Sequence, residues 1–443
     1  MKTPIRDFVA RYAEGDACRL HMPGHKGVAA LGAEPFDITE IDGADSLYEA
    51  RGIIRESEKN ASALFGAETL YSTEGASLAI RTMLALVAKE ASERGERCRV
   101  LAGRNAHRAF LSAAVLLDIE VDWLYAADGS YLSCPVDEKA LAAHLAAGKY
   151  HAVYLTSPDY LGNTADIAAA SALCRRYGVL LLVDNAHGAY LKFLPESRHP
   201  MDLGADICCD SAHKTLPALT GAAYLHLSHA VASRFAPEAK QMMALFGSTS
   251  PSYLVLQSLD LVNAYLADGY AVRLAAFVAA VADAKERLAA QGYALCGDEP
   301  LKLTVAPKSY GYEGYTLAAI LAEQGFVSEF SDPDFTVMML TPEVGDEALS
   351  ALVACLCALP RRAPITEAPP TLTPAERVCS PRKALFASHE VVALGKARGR
   401  VLADIAVACP PAVPIVVAGE RIDQAAQAAL AYYGAATCTV IKE

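Results

Sequence analysis

The chain lacks any run of about 18 apolar residues, the length a membrane-crossing helix requires. Its start, Met1 to Ala17, alternates charged with apolar residues and has no signal-peptide core. Both absences lead to the expectation of a cytosolic protein. Basic charge is also short, with 39 Lys and Arg against 51 Asp and Glu and a formal net charge of −12, so the electrostatic footprint of a nucleic-acid binder is missing. No C-x-x-C pair occurs and no histidine cluster joins cysteine at metal-ligand spacing, so no metal site is expected. A nicotinamide-type G-x-G-x-x-G is missing after the early apolar segments, and so is an internal repeat of 20 to 50 residues. The twelve cysteines are scattered, and Cys208 and Cys209 are adjacent inside an apolar run, which reads as buried free thiols rather than a disulfide framework.

What the chain has is length and apolar content, 443 residues of which 53% are hydrophobic, enough for a large catalytic domain and one or two smaller ones. The segment Leu359 to Pro374 is punctuated by proline and has little apolar periodicity, so it is expected to separate a small C-terminal unit. Met1 to Gly27 reads as a short helix followed by a Pro- and Gly-broken loop, an arm in outline. Between these, Val100 to Ala102, Ala152 to Leu155, Val179 to Val183, Ile207 to Cys209 and Ala222 to Leu227 fit buried strands, while Ser77 to Glu90 and Asp166 to Tyr177 carry helical spacing. Apolar strands alternating with helices predict an α/β fold on a mostly parallel sheet covered on both faces. Ligands of such sheets sit beyond the carboxyl ends of the strands.

The residues at those ends carry chemistry. Asp184 follows one strand, and a buried carboxylate there can stay ionised beside a cation such as a protonated pyridine nitrogen; taken alone it is equally a helix cap or a structural acid. Thirty positions later another strand delivers Asp210, Ser211, Ala212, His213 and Lys214. A lysine leaving a buried strand is costly unless its amine is used, and an imine to an aldehyde uses it; the alternative is a side chain that snorkels to the surface. The pair points to pyridoxal 5′-phosphate (PLP). Gly75, Ala76 and Ser77 open a helical pattern after an apolar segment, so their N–H groups and the Ser77 hydroxyl suit a phosphate, as they would suit an ordinary N-cap. Ser211 and His213 are placed to complete that cup. His107, after the strand Val100 to Ala102, suits one face of a ring with Ala186 under the other, or is simply a loop residue.

Six segments in order resemble the Orn/Lys/Arg decarboxylase family: His21 to Gly27 (HMPGHKG), Asp45 to Gly66, Leu155 to Gly162 (LTSPDYLG), Asp184 to Tyr190 (DNAHGAY), Ser211 to Thr220 (SAHKTLPALT) and Thr249 to Asp260 (TSPSYLVLQSLD). The resemblance covers most of the chain. It implies the seven-stranded-type sheet of the aspartate-aminotransferase fold (PLP fold type I) with smaller α+β C-terminal domains. The implied division is an N-terminal arm over 1–30, a PLP-binding domain over 31–260, a small α/β domain over 261–365 and a decarboxylase-type domain over 366–443. It makes Lys214 the Schiff-base lysine, Asp184 the partner of the pyridine nitrogen, His107 the ring-stacking histidine, and Ser77, Ser211 and His213 neighbours of the phosphate. His187 would lie near the cofactor hydroxyl or the substrate carboxylate, and Lys214 or His213 would reprotonate the substrate. Thr249 would reach the phosphate in a second subunit, implying a homodimer or larger homo-oligomer with shared sites, and the chain resembles the family's short form. The implied reaction is decarboxylation of arginine, lysine or ornithine to a polyamine-type amine. An aminotransferase using the same groups, or a non-catalytic PLP-fold binding protein, would share these residues. The chain departs from the family at Glu74, where Asn is usual, at Ala76, at Asn185, where an acid is usual, at Tyr190, and across Cys409 to Pro414.

Overall fold

The structure, a computed structural model, describes residues 1–126, 130–405 and 411–443. Cys409 and Pro410 of the departing C-terminal motif therefore lie outside the described residues. The strands of the large sheet are β1 (Glu68–Ser72), β2 (Arg99–Gly103), β3 (Glu120–Leu124), β4 (Ala152–Thr156), β5 (Leu180–Asp184), β6 (Ile207–Asp210) and β7 (Ala223–Leu227). The chain divides into two compact units, Met1–Arg94 with Ile167–Ala275, and Gly95–Asp166 with Ala276–Glu443.

In the first unit the strands run β1-β7-β6-β5. β5 and β6 pair in parallel, whereas β7 is antiparallel to both β6 and β1, so this part of the sheet is mixed. The sequence reading located β7 but not its direction, because an apolar run buried on both faces looks the same either way. Of β5, β6 and β7 every residue but Leu180 is buried, which is why these strands read as continuous apolar runs without alternation. The helix after β1 spans Gly75–Glu93, wider than the apolar spacing suggested, and Gly75 starts it with φ +69°, a conformation that favours glycine.

The segment expected as an arm begins with a docked helix, Pro4–Glu14, whose Ile5 and Val9 are fully buried one turn apart. Pro4 opens it at no cost in backbone donors. Its free first-turn amides, Ile5 N and Arg6 N, donate to Asp260 Oδ2 at 2.9 and 3.0 Å, and Ser57 Oγ donates to the other oxygen. Asp260, in helix Tyr253–Ala267, is fully buried, so one carboxylate ties the N-terminal helix to the unit's core.

In the second unit β4-β2-β3 run parallel with β2 in the middle. The sequence reading did not find β3, whose polar Glu120 and Asp122 interrupt the apolar pattern. A second, antiparallel sheet is made by Phe330–Ser331, Thr336–Met339, Lys302–Ala306 and Ala294–Cys296, in that order across the sheet. The proline-rich connection after helix Asp346–Ala358 has no helix or strand, and it leads to a small C-terminal two-stranded antiparallel sheet, His389–Ala393 with Thr437–Ile441, the helix Gln424–Tyr432 lying between the two strands in sequence. Arg104, just beyond β2, is buried and donates to Pro414 O, Ile415 O and Glu420 Oε2 at 2.9, 3.0 and 3.1 Å, so its charge is fully engaged. The described cysteines are all free; Cys98, Cys174, Cys208, Cys209 and Cys438 are buried, whereas Cys18 is exposed. No single helix among the described residues is long and apolar enough to cross a membrane.

Burial pushes the Asp260 carboxyl up to about 6, against the opposing pull of its Ser57 and backbone donors. The unfolded chain releases this proton near pH 4 and the folded chain near 6, so over that window the group's contribution to stability falls as pH rises, by on the order of 3 kcal/mol, and stays level above it. Asp332, also raised to about 6 by burial, adds a contribution of the same sign. In thermal melts, Asp260→Asn is expected to gain on the parent as pH rises from about 4 to about 6. A melting-temperature difference that does not change with pH would refute this account.

Candidate active site

The parallel pairing of β5 with β6 sets the site. Its register places Val183 opposite Cys208 and Asp184 opposite Cys209, so the two strands stop side by side and their next residues leave the sheet together. Asp184 is only 2% exposed; its Oδ1 accepts the Ala186 amide at 3.1 Å, closing a turn directly after the strand, and lies 3.6 Å from Cys209 Sγ. Beyond β6 the buried Ser211 leads into one helical turn, Ala212–Thr215, which carries Lys214. Lys214 Nζ lies 2.9 Å from His187 Nε2, so the residue three positions after Asp184 meets the lysine. The ring of His213 is held by Nδ1 donating to Ala222 O at 2.9 Å, while its backbone amide donates to the same oxygen at 3.2 Å.

The turn between β1 and its helix is fixed by Ser72, whose hydroxyl donates to Gly75 O at 2.9 Å and accepts the Glu74 amide at 3.2 Å. Gly75 N donates to Gly221 O at 2.8 Å, so this amide is already used. The expectation that Gly75, Ala76 and Ser77 all offer backbone donors is thereby corrected to Ala76 and Ser77, whose amides have no partner within the helix. A Cβ at Gly221, where φ is +98°, would lie 2.9 Å from Thr73 O, so only glycine lets these two turns approach. Glu74 does not cap the helix; its carboxylate accepts the Ser248 amide, tethering the loop that carries the exposed Thr249. His107 belongs to the second unit, where Nδ1 accepts the Ala109 amide at 3.1 Å as the N-cap of helix Arg108–Leu117.

Sequence reasoning missed a buried cluster behind the site. Asp210 closes β6 as Asp184 closes β5, a signal that could have found it; His199 and His226 gave none. Asp210 Oδ2 accepts from His199 Nε2 at 3.0 Å and His226 Nε2 at 3.1 Å, and Oδ1 accepts the Asn185 amide at 2.7 Å. All four side chains are fully buried. Burial by itself would raise the Asp210 carboxyl, yet the two histidines hold it well below the usual carboxylate range. Burial pushes the neighbouring Cys208 and Cys209 thiols up, so both stay protonated.

His199, Cys208 and Asp210 lie close enough together to suggest a metal site. The proton positions argue against one. His199 Nδ1 accepts the Met201 amide at 3.3 Å, so Nε2 carries the proton it gives to Asp210 and has no lone pair for an ion. Purified protein is expected to hold no stoichiometric zinc, and chelator treatment to leave its melting temperature unchanged; a zinc-to-chain ratio near one would overturn the hydrogen-bonded reading.

The fold and this arrangement define a class, an α/β enzyme fold with a large mixed sheet. The structure is similar to Francisella novicida lysine decarboxylase LdcF (TM-score 0.79, 16% identity, 99% of this chain, 81% of that one). It is similar also to Pseudomonas aeruginosa lysine decarboxylase A (TM-score 0.80, 17% identity, 99% and 80%). In sequence the chain is 29% identical to an arginine decarboxylase of Halalkalibacterium halodurans, covering 96% of this chain and 91% of the relative. It is 28% identical to that of Bacillus subtilis, covering 96% and 92%. The model of the Orn/Lys/Arg decarboxylase major domain matches residues 3–296 and that of the C-terminal domain matches 368–440, so the chain belongs to the Orn/Lys/Arg decarboxylase family.

Proposed function

We propose that the protein is a PLP-dependent decarboxylase of a basic amino acid, arginine, lysine or ornithine. The observation that carries the reading is the meeting of Lys214 and His187 at the end of β6, beside the buried Asp184 at the end of β5, in a chain of this family. The groups present fit the cofactor. Asp184 is a buried carboxylate suited to a pyridinium nitrogen, and Lys214 is the amine that would hold the aldehyde. Ser77, Ser211 and the first-turn amides of Ala76 and Ser77 would receive the phosphate dianion at a helix N-terminus.

Bound there, the cofactor supplies a protonated ring that takes up the electron pair left when the bond from Cα to the carboxylate breaks. The chain's own part is orientation and proton transfer. Asp184, buried at the end of β5, would face the ring nitrogen and keep it protonated. Lys214 Nζ, steered by His187, is placed to deliver a proton to the substrate Cα once carbon dioxide has left. His213 is the second candidate donor, its Nδ1 hydrogen engaged by Ala222 so that the ring is held in one orientation. Thr249, exposed on the loop tethered by Glu74, is available to a second copy of the chain in a homodimer.

Incubation of purified protein with PLP and each basic amino acid is expected to release carbon dioxide and the matching amine from one of them. Imine absorbance without carbon dioxide from any of the three would end the decarboxylase reading. Formation of a keto acid instead would indicate an aminotransferase. Lys214→Ala should abolish the borohydride-reducible visible band and lower kcat by on the order of a thousandfold or more, whereas Asp184→Asn should keep the band and still slow turnover.

A further inference from the structure

Asp184 and Lys214 come from two different strands, yet on the reading above they must address one ring, so the spacing between the ends of β5 and β6 has to be held. The backbone ladder stops there, its last bond being Asn185 N to Cys209 O at 3.0 Å. One residue further, Asn185 Nδ2 donates to Asp210 Oδ1 at 2.7 Å, joining the residue after Asp184 to the one that precedes Ser211 and the lysine turn. Asn185 Oδ1 is buried and has no partner among the described residues, so the amide's orientation is dictated by Asp210. Asp210 is in turn immobilised from the far side, His199 reaching it from the loop after β5 and His226 from β7. Three donors converge on this carboxylate, which has no proton of its own to offer.

We propose that Asn185 and Asp210 form a charge-matched clamp that positions Asp184 relative to Lys214, and that the clamp requires one amide and one carboxylate but not a particular order of the two. Neither residue touches the reacting atoms; both are positioning residues. The inference rests on the reading of Lys214 and Asp184 as cofactor ligands. An aspartate at 185 would set a second carboxylate against Asp210 in a buried site, and the repulsion would part the strand ends. Exchanging the two restores the match: an asparagine at 210 can accept both histidine protons on Oδ1 and donate Nδ2 to an aspartate at 185.

The test compares the parent with Asn185→Asp, Asp210→Asn and the double exchange N185D/D210N, reading the PLP dissociation constant and the pH midpoint of the visible imine band. Asn185→Asp should weaken PLP binding about tenfold or more and displace the midpoint, and the double exchange should recover most of both changes, a coupling that independent sites do not show. An Asn185→Asp protein that binds PLP like the parent, or a double exchange no better than the single one, overturns the clamp. If Asn185→Asp does not fold, Asn185→Ala decides: it removes the clamp without adding charge, so the midpoint must move in folded protein, and an unmoved midpoint refutes the proposal. A parent protein that forms no imine band would instead sink the cofactor reading itself.

Discussion

Everything at the site depends on a single pairing, the parallel ladder of β5 and β6. Parallel neighbours end on the same edge of a sheet, so a register of Asp184 opposite Cys209 delivers an acid and, four residues beyond Asp210, a lysine to the same side. An antiparallel pair would have sent them to opposite edges. The direction of β7, antiparallel to β6, matters in a different way, because it brings His226 alongside Asp210.

The second constraint is the handling of buried charge. Asp184, Asp210 and Asp260 are all buried at the ends or faces of regular elements, and the three are satisfied differently. Asp260 takes two orphan helix amides and a serine, which leaves desolvation dominant and its proton affinity high. Asp210 takes two histidines and an amide, and stays ionised. Asp184 accepts the Ala186 amide at 3.1 Å and lies 3.6 Å from the Cys209 thiol.

The departures from the family pattern have physical accounts at two positions. Glu74 replaces a usual Asn, and its carboxylate is spent on the Ser248 amide. Asn185 replaces a usual acid, and its amide serves Asp210, where a second carboxylate would be unfavourable. Nothing in the structure explains Ala76 in place of a hydroxyl residue.

The amino-acid sequence alone made legible the strands that are apolar throughout and the residues at their carboxyl ends, Asp184 and Lys214 among them, because burial on both faces leaves its trace in residue type. It could not show the direction of β7 or the existence of β3: an apolar run carries no polarity, and a strand with Glu120 and Asp122 carries little apolar signal. Tertiary structure alone decided that Gly75 N is spent on Gly221, that Glu74 holds a loop, and that His199 and His226 converge on Asp210. Those contacts join residues tens to hundreds of positions apart, and the hydrogen bonds that select them exist only once the strands have chosen their neighbours.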